Sequence, residues 1–279
     1  MSDVSGVLST QKTATARKKS STGAQKYDPN KIANFRDVQR EILLASGGDM
    51  KKALQIAADV KLVWFDKITE AQAAETAIQS ALQNIQNDPD YDAVAERLFA
   101  RKIYREILGS VDDLENNYRA KFADFVRDNV AKNLLDARIL DFDLEKLCAA
   151  IEPKRDENFK YLGLVTNQNR YALRDEVIPI ELPQWTHMRI AMGLALNEKD
   201  PTVAALDFYD HMSRLEYVPG GSTRINAGTS FPQLSNCFVI DVNDDMDSIA
   251  KAVHDTMFIA KGTGGIGILQ RARPRLSRC

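Results

Sequence analysis

The sequence changes its hydrophobic pattern once, near residue 218, and this change constrains the fold more than any other feature. Between residues 29 and 214, apolar residues recur at the spacing of amphipathic helices. After Val218 come a glycine-rich segment, the short apolar run CFVIDV, and a helical stretch from Asp244 to Ala260. A strand followed by a helix begins a parallel α/β unit. We therefore predict an α+β chain, with a long helical region followed by the start of a parallel sheet.

Capping residues and apolar stripes locate individual helices. Asp88 and Pro89 are predicted as the N-cap and first residue of a helix that ends at Gly109, and Asp200 and Pro201 open a later helix in the same way. Apolar spacing predicts core positions, among them Leu114, Tyr118, Phe122, Phe125, Leu144, Leu147 and Ile151. The last stripe also places Cys148 inside, where we expect a packing role.

Composition narrows the class of protein. The chain has 279 residues, of which 44% are hydrophobic and 27% charged, enough to bury a sizeable core. No apolar run suits a membrane span or a secretory signal, so we expect a soluble, cytoplasmic protein. Residues 1–26 carry five basic residues against one acidic residue, and few apolar ones, which predicts a flexible basic tail. The remainder is acidic, so no nucleic-acid partner is expected.

The segment from Val218 to Pro232, VPGGSTRINAGTSFP, is predicted to be a functional loop. A purely connecting loop of this length is uncommon, and glycine lets backbone N–H groups approach an anion closely. CFVIDV is then predicted as a buried strand. The apolar face of the following helix is predicted to be Met246, Ile249, Val253 and Met257. The later glycines, in KGTGGIGI, match neither a Walker loop nor GxGxxG.

Several motifs, taken in order, resemble ribonucleotide reductase large subunits. INAGT, PQLSNC, FVIDVNDDMDSI and GTGGIGI, between residues 225 and 268, are similar to the start of the catalytic barrel of that family. DPDYDAVAERLFARKIYREILG and PQWTHMRIAMGLALNE are similar to its helical N-terminal domain. The resemblance implies a helical domain over 88–215 and, over 216–279, the first part of a ten-stranded α/β barrel. The barrel is expected to be incomplete.

The resemblance implies reduction of a ribonucleotide at its 2′ carbon by radical chemistry, with two thiols supplying the electrons. Cys237 matches the cysteine that becomes half of the redox-active disulfide. Thr223, Asn236, Cys237 and Gly265 match substrate-binding positions, and Thr223 is implied to contact the substrate phosphate. Asn236 stands where the family usually has serine. The second thiol and the cysteine that carries the radical have no counterpart in this sequence.

The resemblance also implies an allosteric site for dNTP or ATP effectors. Asp244, Asp245 and Met246 match the segment that holds a deoxynucleotide, and Asp244 is suited to accept a hydrogen bond from its ribose. Lys261 matches a position that offers charge to the effector phosphates. Capping of the following helix is the alternative role of the two aspartates.

The region over 27–87 resembles a degenerate ATP cone. YDPNKI (27–32) and FDKIT (65–69) match cone motifs, but Ala74 stands where the cone carries a histidine. We therefore predict a cone without a working ATP switch and leave Lys31 and Thr69 out of the site residues.

The resemblance implies several partners: a second large subunit, the remaining C-terminal barrel half, thioredoxin or glutaredoxin as reductant, and a ribonucleotide substrate. No metal is expected in this chain. The radical is expected from a metal-containing small subunit (class I), which the cone remnant favours, or from adenosylcobalamin (class II). Diphosphate and triphosphate substrates both stay open, as do a split gene, an intein-interrupted or frameshifted product and a truncated reading frame.

Two other hypotheses remain open at this point. One is a non-catalytic nucleotide-binding or dimerisation module derived from such an enzyme. The other is a helical interaction protein with no nucleotide site.

Overall fold

A computed structural model describes residues 27–262 and 264–270. The tail predicted over residues 1–26 and the segment from Arg271 to Cys279 lie outside the described residues. The α-helices are α1 (Phe35–Ala45), α2 (Met50–Leu62), α3 (Glu70–Asn84), α4 (Tyr91–Leu108), α5 (Leu114–Ala131), α6 (Leu144–Ala150), α7 (Tyr161–Thr166), α8 (Pro183–Ala195), α9 (Pro201–Ser213), α10 (Gly221–Asn226) and α11 (Met246–Lys261). The strands are β1 (Arg174–Asp175), β2 (Ile178–Pro179), β3 (Cys237–Val242) and β4 (Gly265–Gln270).

This order confirms a helical domain followed by the beginning of a barrel. β1 and β2 form a small antiparallel pair, whereas β3 and β4 are parallel and joined through α11. Among residues 27–262 and 264–270 no sheet closes on itself.

The capping predictions were right at one end of the helical region and wrong at the other. Asp200 caps α9, because its carboxylate accepts the Val203 N–H at 3.1 Å. The prediction for Asp88 was wrong, since α4 begins only at Tyr91. The Asp88 carboxylate accepts the Asp90 N–H at 3.0 Å and so closes a local turn in place of a helix cap.

The helical region has two hydrophobic clusters that α4 connects. α1 to α3 pack on the first half of α4, and the second half of α4 packs with α5 to α9. Tyr118, Phe122 and Phe125, predicted as core, are buried around Trp185 of α8. Cys148 is half-buried against this cluster, and burial raises the pKa of its thiol.

A buried polar network crosses the second cluster. The Asp156 carboxylate accepts hydrogen bonds from the hydroxyls of Tyr104 (2.7 Å) and Tyr118 (3.0 Å) and from Nε2 of Gln184 (2.8 Å). Burial raises the pKa of Asp156 to about 7 despite these donors. Burial and the charge of Asp156 raise the pKa of Glu96 to about 8. Glu96 therefore retains its proton near neutral pH, whereas Asp156 titrates there.

The strand–helix–strand unit is far more exposed than its sequence predicts. In β3 only Val242 is buried, so the prediction of a buried CFVIDV strand was wrong for this chain. The predicted apolar face of α11 is also exposed, with Met246 at 76% and Met257 at 67% of its surface accessible. Parallel strands become buried when helices cover both faces and strands flank both edges. Within the described part of the chain, the elements that pack on β3 are β4 and α11.

Candidate functional site

The glycine-rich segment contains a short helix, which corrects the prediction of a loop throughout. Residues 221–226 form α10, and the chain then returns across it. The Thr223 hydroxyl donates to the Leu234 carbonyl at 2.9 Å, and Nδ2 of Asn226 donates to the Gln233 carbonyl at 2.7 Å. Two side chains of α10 therefore hold the segment that leads into β3.

A buried arginine fixes the position of α10 against the helical domain. Arg189 of α8 pairs with Glu181 at 2.9 Å, and both side chains are fully buried. Its guanidinium also donates to the carbonyls of Ala227 (2.6 Å) and Arg224 (3.2 Å). Gly228 follows with φ +76°, and a Cβ there would lie 2.7 Å from the Arg189 carbonyl oxygen. The end of α10 is thus held by a paired charge and by close backbone packing.

Asn236 connects α10 with both strands. Its Oδ1 accepts the Ser222 N–H at 2.7 Å, and its backbone carbonyl accepts the Gly265 N–H at 2.6 Å. A Cβ on Gly220 would come within 2.0 Å of Nδ2 of Asn236, so only glycine fits opposite this amide. Asn236 therefore has a structural role in this chain, whatever it contributes to a ligand.

Cys237 lies where these elements meet. It is the first residue of β3 and pairs in register with Gly265, the first residue of β4. The cysteine is exposed, and both Cys148 and Cys237 are free thiols. A Cβ on Gly265 would lie 3.3 Å from the Asn236 carbonyl oxygen, which is a tight contact. The structure thus places Asn236, Cys237 and Gly265 at one end of the strand pair, and Thr223, the fourth residue predicted to bind substrate, contacts the segment that leads there.

The predicted effector residues are divided between the two ends of α11. Asp245 is the N-cap, and its carboxylate accepts the Ser248 N–H at 2.7 Å. Met246 is exposed at the first turn, whereas Lys261 is the last residue of the 16-residue helix. At about 1.5 Å per residue the helix is about 24 Å long. Asp244 and Lys261 are therefore not brought together within one chain.

The two cone-like segments lie side by side. Ile32 and Thr69 form an antiparallel bridge, and Nζ of Lys31 pairs with Glu70 at 2.9 Å. The Thr69 side chain caps α3 in a capping box with Gln72. A cavity of about 670 Å³, which Lys31 and Ala74 line, also contains Glu41, which accepts from Arg101 at 2.6 and 2.8 Å.

Two family models match the chain. Residues 157–232 match the ribonucleotide reductase all-alpha domain, and residues 235–278 match the ribonucleotide reductase barrel domain. The chain belongs to the ribonucleotide reductase large-subunit family. The second match begins two residues before Cys237, at the junction described above.

Similar curated proteins agree with this membership. The chain is 35% identical over 207 residues to ribonucleoside-diphosphate reductase subunit alpha of Chlamydia trachomatis, covering 73% of this chain and 20% of that protein. It is 36% identical over 215 residues to the alpha subunit of Helicobacter pylori, covering 76% and 27%. The Arabidopsis thaliana large subunit is 29% identical over 214 residues, covering 72% and 24%. The chain thus spans between a fifth and about a quarter of the length of these relatives.

The sequence analysis did not predict the ionisable residues that lie buried in the helical domain. Arg189, Glu181 and Asp156 are ionisable residues buried inside the helical domain. One signal was present: α8 places Gln184, Thr186, His187 and Arg189 among apolar residues on every side, which is typical of a helix buried all round. The tertiary structure decides which hydrogen-bond and ion-pair partners these polar side chains of α8 find.

The described part of the chain has neither a cluster of metal ligands nor a membrane-spanning helix. Within it, no group of three or more histidine, cysteine, aspartate or glutamate residues is placed to hold a metal ion. No helix there is long and apolar enough to cross a membrane.

Proposed function

We propose that this chain supplies the N-terminal part of a ribonucleoside-diphosphate reductase large subunit and forms one side of its substrate site. The observation that carries the proposal is the junction of α10, β3 and β4. There an exposed thiol, Cys237, pairs with Gly265 and lies on the chain segment that Thr223 and Asn236 hold in place. An accessible thiol beside a substrate is what the reduction requires.

The proposed reaction oxidises two thiols to a disulfide. The ribonucleotide loses its 2′ hydroxyl as water and gains hydrogen at that carbon, and the two thiols lose the two electrons and two protons. Cys237 supplies one sulfur. The second thiol and the radical cysteine come from the remaining barrel, and thioredoxin or glutaredoxin then reduces the disulfide.

The exposed apolar surface of the strand–helix–strand unit supports a partner that completes the sheet. Val239 is 81% exposed on β3 and Phe258 is 66% exposed on α11. A surface of this kind normally marks an interface. We propose that the rest of the barrel covers it, in agreement with the fraction of the relatives' length that this chain spans.

The divided effector residues favour a homodimer as the allosteric unit. Asp244 and Asp245 lie at the start of α11 and Lys261 lies at its end. We propose that the start of the helix holds the ribose of a dNTP and that Lys261 reaches effector phosphates only in the assembled dimer. Asp244→Ala and Lys261→Ala should each weaken dNTP binding to that assembly in calorimetry. Unchanged affinity in both variants would refute the mapping.

The cone-like region is proposed not to bind ATP. Lys31 is paired with Glu70, the Thr69 side chain is occupied in a cap, and Glu41 already neutralises Arg101.

We further propose that the radical comes from a separate metal-containing small subunit, as in class I enzymes, with adenosylcobalamin as the alternative. The proposed location is the cytoplasm.

The central experiment reconstitutes this chain with the remaining barrel and the radical source. The purified chain alone should reduce no ribonucleotide, whereas the reconstituted enzyme should turn over repeatedly. Cys237→Ser should abolish multiple turnover, while Cys148→Ser, the matched control, should leave it intact. Steady-state reduction by the Cys237→Ser enzyme, or turnover by the chain alone, would contradict the proposal. A complex that binds dNTP but never turns over would favour the non-catalytic module.

A further inference from the structure

A second cavity, of about 370 Å³, adjoins the glycine-rich segment on the side of the helical domain. Its walls come from α7, α8, α10 and the connection between α9 and α10. They are mostly apolar, and the lining residues that matter here are Phe159, Leu162, His187, Tyr217, Val218 and Arg224. The four residues proposed to bind substrate are not among those that line it. The volume is in the range of small-molecule pockets.

Arg224 contributes a cation to this cavity, and no acidic side chain pairs with it among the described residues. Nη2 donates to Oδ1 of Asn167 at 2.9 Å, and the guanidinium carbon lies 3.7 Å from the centre of the Tyr171 ring. Burial lowers the pKa of Arg224, the contact with Tyr171 partly offsets this shift, and the charge of Arg189 lowers the pKa a little further. Arg189, by contrast, is paired with Glu181. A half-buried charge without a counter-ion attracts an anion.

His187 adds a buried polar group to the same wall. Only 5% of its surface is exposed, and its ring stacks on Phe159 with the ring centres 5.7 Å apart. Nδ1 of His187 has no hydrogen-bond partner among the described residues. Burial, with the nearby charges of Arg224 and Arg189, lowers the pKa of His187 to about 3. The ring is therefore neutral, and it keeps one donor and one acceptor nitrogen.

We propose that this cavity binds a small amphipathic anion, whose apolar body lies between the walls and whose single carboxylate or phosphate group contacts Arg224, with a hydrogen bond to His187. Three features support this proposal: the apolar walls, the guanidinium of Arg224, which has no acidic partner, and Nδ1 of His187, which has no hydrogen-bond partner. The inference does not rest on the reductase function. A bound ligand would contact Val218, in the segment that leads into α10.

To test this, the full chain is titrated with four probes, and binding of each is measured by NMR and calorimetry. Phenyl phosphate and benzoate carry both a ring and an anion, benzyl alcohol lacks the anion, and inorganic phosphate lacks the ring. Both aromatic anions should bind about tenfold more tightly than either control, because a charge-assisted hydrogen bond and apolar burial each contribute about that factor. The tighter of the two aromatic anions identifies the head group as phosphate or carboxylate.

Variants then assign the contacts. Arg224→Gln should weaken binding of the aromatic anion about tenfold. His187→Phe keeps the ring but removes its nitrogens, and should weaken binding severalfold. Arg127→Gln, an exposed arginine on α5 that does not line the cavity, is the matched control and should bind like the parent. Parental affinity in a folded Arg224→Gln chain would overturn the proposal, as would the absence of binding by both aromatic anions at millimolar concentration. If Arg224→Gln fails to fold, parental affinity in His187→Phe overturns it.

Discussion

Helix α8 and strand β3 are both rich in apolar residues, yet α8 is buried and β3 is mostly exposed. Eleven of the 13 residues of α8 are buried, whereas β3 buries one of six. A helix satisfies its backbone hydrogen bonds internally, so neighbouring helices of the same region can surround it completely. A parallel strand needs neighbours at both edges and helices on both faces before its side chains leave water. The helical region therefore contains its own core, whereas the strand–helix–strand unit leaves most of its apolar side chains exposed.

The same contrast applies to the charged residues. The buried pair of Arg189 and Glu181 orders α10 and the end of the helical domain. Lys251 and Asp255 of α11 form an exposed pair one helical turn apart. Removing one member of each pair should therefore have very different costs.

The largest effect is expected from Arg189→Met. Glu181 would remain as a buried carboxylate without its cation, and the Ala227 carbonyl would lose its donor. The free energy of unfolding should fall by about 4 kcal/mol. Lys251→Met, the exposed control, should cost less than about 1 kcal/mol. Urea denaturation compares the two variants, and similar losses would contradict the difference between the regions.

A slightly smaller effect is expected from a pair of phenylalanine truncations. Phe122 is fully buried and Phe258 is 66% exposed. Phe122→Ala should cost about 3 to 4 kcal/mol, because it leaves a cavity in the core. Phe258→Ala should cost less than about 0.5 kcal/mol in this chain. Repeating the measurement with the remaining barrel present sharpens the comparison, since the cost of Phe258→Ala should then increase.

The buried carboxyl groups should make the helical region sensitive to pH. The pKa values of Asp156 and Glu96, about 7 and 8, lie above those of an unfolded chain. Their stabilisation is therefore complete only below the unfolded pKa values of about 4, and it is lost progressively as the pH rises from there through the folded values. Between pH 6.5 and 8.5 the free energy of unfolding should fall by on the order of 2 kcal/mol, and His187, whose folded pKa is about 3, offsets only a small part of this near pH 6.5.

The control for this pH effect is the double variant Asp156→Asn with Glu96→Gln. Its stability should change less between pH 6.5 and 8.5 than that of the parent, whatever its absolute value. The same slope in urea denaturation for both proteins would contradict the assignment.

The smallest effect is expected in the barrel unit. Asp245→Ala removes the acceptor of the Ser248 N–H and should destabilise α11 by about 1 kcal/mol. Hydrogen exchange of the first turn of α11 should accelerate, while that of α8 should not change. Asp247→Ala, which removes an acid of the same turn that is not the cap, should have the weaker effect. Equal acceleration in both variants would argue against the cap.

Several features were predictable because they rest on local chemistry. Asp200 and Pro201 specify the start of α9 wherever that helix packs, and the stripe of Tyr118, Phe122 and Phe125 is buried as predicted. The prediction for Asp88 was wrong because the same side chain can close a turn or cap a helix. The prediction for β3 was wrong because periodicity reports which face is apolar, not whether anything covers it.

The sequence by itself determined the long helical region, the strand–helix unit that follows it, the family, and the residues proposed to bind substrate around Cys237. These depend on spacing and side-chain type, which are local properties. Only the tertiary structure decided that Asn236 joins Ser222 to Gly265 and that Arg189 holds the end of α10. It also decided that Arg224 and His187 share one cavity. Contacts between residues far apart in the chain follow from how helices pack, and no local pattern encodes them.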